Sequence, residues 1–187
     1  MRQKGGVPIA YQLTNVKFSC HIDPPLCPKK LQDIGLNYSA GSDRYVVRLQ
    51  DYVYCFMSSG SFLNVTGCKA VTDFEKAKII SNSQLGSCKM IYSNIKIDTI
   101  SAVCRMSHKI MEDITCKQAQ SEHPFQIKHY RKYPNKLNVK LKQSKASSPN
   151  MSANIFSSGS ICLFGARCLD DLEYFINQLN YCKNLVK

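Results

Sequence analysis

Several short stretches of the chain alternate hydrophobic and polar residues, and each predicts a half-buried β-strand. In the stretch that begins with TNVKF at 14–18, Val16, Phe18 and Cys20 share one face, with polar residues between them. RYVVRLQ and YVYCFM predict two further strands, and SNIKI at 93–97 predicts another. The pattern therefore favours a protein with a substantial sheet.

Four segments instead carry helical spacing or helix-end signals. The prolines before Lys29 predict a short helix that ends at about Ile34. Thr72 with Glu75 predicts a capping box ahead of a second helix. ISAVCRMSHKIMEDI, residues 100–114, predicts a third helix. A C-terminal helix is predicted by the i, i+3, i+4, i+7 spacing of Leu172, Phe175, Ile176, Leu179, Cys182, Leu185 and Val186.

An internal repeat organises these elements. CFMSSGSFLNVTGCK at 55–69 is similar to IFSSGSICLFGAR at 155–167, and TNVKF is similar to SNIKI. Each half reads as strand, helix, several antiparallel strands and helix, which leaves one sheet face open for function. We expect an N-terminal extension at 1–10, a first repeat at 11–88 and a second repeat at 89–187.

Charge points to the kind of partner. The chain has 25 Lys and Arg against 13 Asp and Glu, a net charge of +12, and no acid lies between His123 and Leu169. A polyanion is the expected partner, and the alternative is a solvated basic loop without a ligand. No apolar run reaches the length of a membrane helix and no signal peptide is evident, so we expect neither secretion nor a membrane partner.

The ten cysteines do not indicate a disulfide framework in a chain expected to remain in a reducing compartment. Cys104, His108 and Cys116 could be zinc ligands, but a fourth ligand has no evident place. Most cysteines are expected to be small buried hydrophobes. No motif places a nucleophile, a base and an orienting group together, so we expect no enzyme activity, no metal, no cofactor and no small-molecule substrate.

The repeated elements resemble the core of the TATA-box-binding protein (TBP) family, from Tyr11 to Lys187. That family has a strand with QN near its start, followed by a hairpin of the form IFSSGK…TGAK. The resemblance implies an α+β fold: a pseudo-twofold saddle whose curved antiparallel ten-stranded sheet carries four helices on its convex face. It further implies that the concave face binds and bends promoter DNA through the minor groove, as described for TBP itself.

The resemblance also implies a role for particular residues. Phe56 and Phe156 match the wedges that kink the duplex, Tyr133 matches a second wedge of the second half, and Tyr45 or Tyr38 is its counterpart in the first. Asn15 and Asn94 match the central pair that binds base edges, and Lys17 and Lys96 stand where the family has valine. The other DNA-binding assignments are the phosphate contacts Arg48, Lys69, Arg167 and Lys140, and the groove-facing Thr66 and Phe164.

This chain also departs from the family pattern. Ser61 and Ser160 replace the hairpin lysine, and HYRKYP replaces the acidic loop with which the family contacts transcription factor IIB. These differences favour a viral or otherwise specialised relative, acting in the nucleus or at a cytoplasmic site of viral transcription. The expected partners are AT-rich promoter DNA and a transcription factor IIB-like factor or RNA polymerase machinery. The alternative is a scaffold subunit of an initiation complex that kept the saddle but does not read TATA DNA alone.

Overall fold

The structure is a computed structural model that describes residues 9–85, 90–107, 109–116, 124–129, 135–142 and 150–184. The chain divides into two compact units. The first unit is Thr14–Thr99, and the second unit comprises Met1–Leu13 with Ile100–Lys187.

Strands and helices follow one another twice in a similar order. The strands are β1 (Tyr11–Asp23), β2 (Asn37–Ser39), β3 (Arg44–Leu49), β4 (Tyr52–Met57), β5 (Phe62–Cys68), β6 (Ile91–Arg105), β7 (Phe125–His129), β8 (Lys136–Leu141), β9 (Ser152–Phe156) and β10 (Ser160–Ala166). The helices within the described residues are α1 (Pro28–Asp33), α2 (Asp73–Gln84), α3 (Ile110–Cys116) and α4 (Leu169–Asn184), with a 3₁₀ turn at Ala40–Ser42. The strands form a ten-stranded sheet in the order β2-β3-β4-β5-β1-β6-β10-β9-β8-β7.

In the first unit, helix α2 covers one face of the strands. The rings of Phe18 in β1 and Phe74 in α2 lie 4.8 Å apart. The Tyr54 hydroxyl in β4 donates to the backbone oxygen of Ala77 in α2 over 2.8 Å. Every second residue of β4 and β5 is buried on this side, so the intervening residues form an open face.

In the second unit, α4 plays the same part. Its residues Leu172, Phe175, Ile176, Leu179 and Cys182 are buried as their spacing predicts, whereas Leu185 and Val186 lie outside the described residues. The ring of Phe175 lies 5.3 Å from that of Phe125 in β7. No helix in the described part of the chain is both long and apolar enough to span a membrane.

The third predicted helix is wrong over its first half. Residues 100–105 continue strand β6, and α3 begins only at Ile110. Ile100, Ala102 and Cys104 are buried with period two and lie opposite residues of β10. Pairing with β10 therefore makes residues 100–105 a strand, although their apolar spacing is also compatible with a helix.

The predicted capping box is also absent. Thr72 makes no side-chain cap hydrogen bond, and the Asp73 side chain instead bonds to residues that precede the helix. Asp73 Oδ2 accepts from the backbone nitrogens of Lys69 and Ala70 at 2.8 and 3.0 Å. In the second unit, Asp171 Oδ2 accepts from the backbone nitrogens of Arg167 and Cys168 at 2.9 and 3.2 Å. Each unit thus uses an aspartate to attach the helix to the strand before it.

We expect Asp73→Ala to lower the free energy of unfolding by about 1–3 kcal/mol, because two amides lose a charged acceptor. The hydrogen bond from the Lys69 amide, with that from Ala70, lowers the pKa of Asp73 below 3.8. The stabilisation is therefore complete above pH 3.8 and is lost as the pH falls through the lower folded-state pKa. Urea unfolding at pH 7 and pH 3 measures this effect. Glu75→Ala, which removes an exposed acid from the same helix turn, serves as the control.

The cysteines follow the prediction only in part. Of the eight whose side chains are described, Cys20, Cys68, Cys104 and Cys182 are buried and the other four are not. Burial raises the pKa of Cys20 to about 12 and that of Cys104 to about 11, so neither is a reactive thiol. His108 lies outside the described residues, and no group of three metal-ligating side chains is close enough to hold a metal ion among those described.

Candidate nucleic-acid interface

The open face of the first unit is rich in polar and cationic side chains. These side chains alternate with buried ones along β1, β3, β4 and β5. The open face comprises Asn15, Lys17, Ser19, Val46, Arg48, Val53, Cys55, Met57, Asn64 and Thr66. Directly opposite residues of an antiparallel pair share a face, so Arg48, Val53 and Thr66 form one row across three strands.

Four of the predicted DNA-binding residues line one open depression of about 580 Å³ in this unit. They are Asn15, Arg48, Thr66 and Lys69, and the remaining lining residues are Thr14, Asp51, Val53 and Gly67. An amide, a hydroxyl and two cations thus converge although they come from four places in the sequence. Such a set can donate hydrogen bonds to base edges and phosphate oxygens.

A β-bulge positions the amide of Asn15. The register between β1 and β5 shifts at Gly67, whose φ is +96° and whose backbone N–H donates to Asn15 Oδ1 over 2.8 Å. A Cβ at position 67 would lie 2.3 Å from the backbone oxygen of Asp51, so only glycine fits. The acceptor Oδ1 is used within the protein and fixes the orientation of the amide. The Nδ2 group of Asn15 can then donate to a ligand.

The cationic side chains on the open face differ in the partners they have within the protein. Lys69 is exposed, and its Nζ donates to the backbone oxygen of Thr14 over 2.7 Å. Arg48 is exposed on β3. Lys17, which is on the open face but does not line this depression, forms an ion pair with Asp98, with Nζ and Oδ2 3.1 Å apart. Lys17 therefore does not present an uncompensated charge on the sheet.

The placement of Phe56 on the open face is wrong. Its side chain is 0% exposed, and it lies opposite Leu63 and Tyr45, both of which are buried. Met57 is the residue that occupies the open face at this end of β4. Tyr52 and Tyr54 are buried on the same side of β4 as Phe56, toward the helices.

The distance of each phenylalanine from its Ser-Ser-Gly turn explains the error. Met57 and Phe156 both directly precede Ser-Ser-Gly, and each accepts a backbone hydrogen bond from the glycine, at 2.8 and 2.9 Å. Met57 is thus the counterpart of Phe156, whereas Phe56 corresponds to the buried Ile155. Counting back from the serines aligns Met57 with Phe156, but this alignment alone does not show whether Phe56 or Met57 faces the helices.

Neither tyrosine proposed as the partner wedge of the first half lies on the open face. Tyr45 is buried, opposite Phe56, and Tyr38 lies opposite Tyr45 at the sheet edge with the two rings 5.0 Å apart. Both therefore belong to the helix-covered side. Tyr133, the proposed second wedge of the other half, lies outside the described residues.

The second unit has an equivalent open face, comprising Lys136, Asn138, Lys140, Ser152, Asn154, Phe156, Cys162 and Phe164. Lys140 lies opposite Ser152 in β9, as Arg48 lies opposite Val53 in β4. Phe156 is partly exposed and Phe164 is 39% exposed. Arg167 is exposed just after the Gly165 bulge, at the position that Lys69 has after Gly67.

The strand registers of the two units show that Asn15 and Asn94 do not occupy equivalent positions. Leu63 lies opposite Cys20 in the first unit, and Ile161 lies opposite Cys104 in the second. The hairpins make Leu63 and Ile161 equivalent, because each lies opposite an equivalent residue, Phe56 or Ile155.

Cys20 therefore corresponds to Cys104, and Asn15, five residues earlier, corresponds to Thr99. Asn94 is not the structural counterpart of Asn15, and Lys96 is not that of Lys17, whose counterpart is Ser101. Asn94 and Lys96 are exposed, and Asn94 has a left-handed φ of +52°. The sequence comparison therefore missed Thr99 and Ser101 as the counterparts of Asn15 and Lys17. It followed the similarity of SNIKI to TNVKF and not the number of residues between each strand and its hairpin.

Comparison with known proteins bears on the fold. No family model and no curated protein matches the chain. Among solved structures, the TBP of Methanococcus jannaschii superposes with a TM-score of 0.69 at 19% identity, covering 94% of this chain and 99% of that one. The fold is that of the TBP core. A rolling circle replication initiator protein from Geobacillus stearothermophilus gives a TM-score of only 0.42 at 5% identity, covering 95% of this chain and 80% of that one.

The TBP-like fold class predicted from the sequence, α+β with ten antiparallel strands and four helices, is confirmed. The identity to the archaeal TBP is too low to assign a role to any single residue. The open faces of the two units are therefore interpreted from their own chemistry.

Proposed function

We propose that this chain is a transcription initiation factor that binds duplex DNA in the minor groove and bends it, without enzymatic activity. The observation that carries the proposal is a repeated one. In each unit a cation, Arg48 or Lys140, stands on the open face, and a second cation, Lys69 or Arg167, follows a glycine bulge. Two separate segments of a basic chain thus present the same cationic pattern on the face that the helices do not cover.

The chemistry between these cations supports a minor-groove ligand. The Nδ2 group of Asn15 and the hydroxyls of Thr66 and Ser152 can donate to A N3 and T O2, the acceptors that A·T pairs present there. Met57, Phe156 and Phe164 are apolar side chains on the same faces. Apolar side chains of this kind can enter between base steps and kink the duplex. A transcription factor IIB-like factor or RNA polymerase machinery is the proposed protein partner.

Salt dependence tests the electrostatic part of the proposal. If the chain neutralises about five phosphates, log K for a duplex should fall against log salt concentration with a slope of about −4 to −5. Arg48→Ala and Lys140→Ala should each reduce that slope by about one. Fluorescence anisotropy of a labelled duplex between 50 and 300 mM salt, roughly the range over which such contacts weaken strongly, measures both effects.

Lys29→Ala is the matched control, because Lys29 is an exposed cation on α1 and that helix contacts the covered side through Gln32 and Tyr45. Its slope should equal that of the unmodified chain. A slope near zero for the unmodified chain, or an equal reduction for the control, would contradict the proposed interface.

A protein-interaction scaffold is the second candidate. Exposed large side chains on the helices favour it: Ile79 on α2, and Tyr174 with Tyr181 on one face of α4. This candidate predicts that DNA is engaged only after a protein partner has bound. Tight, salt-sensitive binding of AT-rich duplex by the isolated chain would exclude it.

A further inference from the structure

Asp98 is an acid among the polar and cationic side chains of the first unit's open face. Its Oδ1 accepts from the Ser19 hydroxyl over 2.7 Å, and its Oδ2 lies 3.1 Å from Lys17 Nζ. Ser19 and Lys17 alternate along β1 with the buried Val16, Phe18 and Cys20, so both face away from the helices. Asp98 contacts both side chains, so its carboxylate group lies at the open face, and its side chain is 32% exposed.

This carboxylate does not match an A·T pair. The minor-groove edge of A·T presents only the acceptors A N3 and T O2, and a carboxylate is an acceptor as well. A·T-rich tracts also have the most negative groove, which disfavours an anionic side chain. An acid on a surface that reads only A·T pairs would therefore oppose binding.

A G·C pair presents a different edge. Guanine adds the N2 amino group, the one hydrogen-bond donor of the minor groove, between two acceptors. Lys17 and Asp98 present a donor beside an acceptor, with the two charged atoms 3.1 Å apart. This arrangement is complementary to an acceptor beside a donor.

We propose that Asp98 is a specificity-determining residue that selects a guanine in the bound DNA by accepting a hydrogen bond from its N2 amino group. Lys17 then donates to the adjacent acceptor, G N3 or C O2. The inference rests on the proposed function, since it concerns the same face and ligand. It replaces the expected preference for purely AT-rich DNA with a preference for a site that contains a G·C pair.

The local geometry suits this role. A carboxylate has about four lone-pair positions, so the bonds with Ser19 and Lys17 leave capacity for a further donor. The Ser19 hydroxyl is largely buried and holds Oδ1, so the carboxylate is oriented before DNA arrives. Lys17 compensates the negative charge, which limits repulsion from the phosphates.

Inosine provides a test that leaves the protein unchanged, because an I·C pair lacks only the N2 amino group in the minor groove. A single G·C pair is moved through each position of an A·T duplex, and the duplex bound most tightly is remade with inosine in place of guanine. We expect the full chain to bind the G·C duplex on the order of tenfold more tightly than the I·C duplex in an anisotropy titration at fixed salt. Asp98→Ala should bind the two duplexes equally.

Asp33→Ala is the charge-matched control, since Asp33 is an exposed acid at the end of α1, the helix whose Gln32 contacts Tyr45 on the covered side. It should leave unchanged both the affinity for each duplex and the difference between guanine and inosine. Equal binding of G·C and I·C by the unmodified chain would overturn the inference but leave the proposed function intact. A uniform gain in affinity for Asp98→Ala, with guanine discrimination unchanged, would show that Asp98 acts only through its charge and would also overturn it. Absence of salt-sensitive binding to any duplex would overturn both.

Discussion

Phe56→Ala should lower the free energy of unfolding by about 3–5 kcal/mol, the usual cost of truncating a fully buried phenylalanine. The Phe56 side chain is 0% exposed and lies between Tyr45 and Leu63 in adjacent strands. Its removal leaves a cavity on the helix-covered side of the sheet that these strands cannot fill without losing their register. Urea unfolding followed by far-ultraviolet circular dichroism gives the change directly.

Met57→Ala is the matched control, because Met57 is the adjacent residue of β4 and lies on the open face. It should change the free energy of unfolding by less than about 1 kcal/mol. If Phe56→Ala were as stable as the control and lost only DNA bending, Phe56 would be a wedge after all and the burial described above would be wrong.

Phe156→Ala should remove most of the DNA bending and leave most of the salt-dependent association in place. Phe156 is partly exposed at the end of β9, directly before the Ser-Ser-Gly turn. An inserted apolar side chain kinks a duplex by about 20–90°. Energy transfer between dyes at the two ends of a short duplex measures the bend angle, and anisotropy measures association on the same DNA.

Phe156→Leu is the control for this experiment, since leucine keeps an apolar side chain that can still unstack a base step. It should keep most of the bend. Met57→Ala should reduce the bend less than Phe156→Ala, because the unbranched, flexible side chain of Met57 makes a less rigid wedge than the side chain of Phe156. A bend that is unchanged in Phe156→Ala would remove the wedge role from this residue.

The predicted wedge role of Phe156 implies that the two units act unequally on DNA. The open face of the second unit carries Phe156 and Phe164 where the first unit carries Met57 and Thr66. The larger distortion is therefore expected where the second unit contacts the duplex. Such inequality would give the bound protein a direction on DNA.

Much of the architecture could be predicted from the chain alone. The doubled Ser-Ser-Gly hairpins, the alternating strands and the apolar spacing of α4 are local signals, because side-chain period and turn chemistry depend on near neighbours. Arg48, Thr66, Lys69 and Asn15 were selected from the motifs, and the structure brings these four together around one depression. The role of these residues toward DNA remains a proposal.

The facing of particular residues could not be predicted in the same way. Motif comparison matched one phenylalanine with another, although Phe56 lies one residue further from its turn than Phe156 does. A shift of one residue moves a side chain to the opposite face of a sheet. The assignment of Asn94 failed for a related reason, because the register of β6 against β10 is set by long-range pairing and not by the similarity of SNIKI to TNVKF.

The sequence by itself determined that this protein contains a repeated α+β unit, that it is basic, and that each half carries cations near a glycine-containing hairpin. These properties follow from composition and from contacts between near neighbours in the chain. Only the tertiary structure decided that Phe56 belongs to the core, that Thr99 and not Asn94 corresponds to Asn15, and that Lys17 is paired with Asp98. Each of these depends on which strands lie side by side and in what register, and distant segments establish that only when the sheet forms.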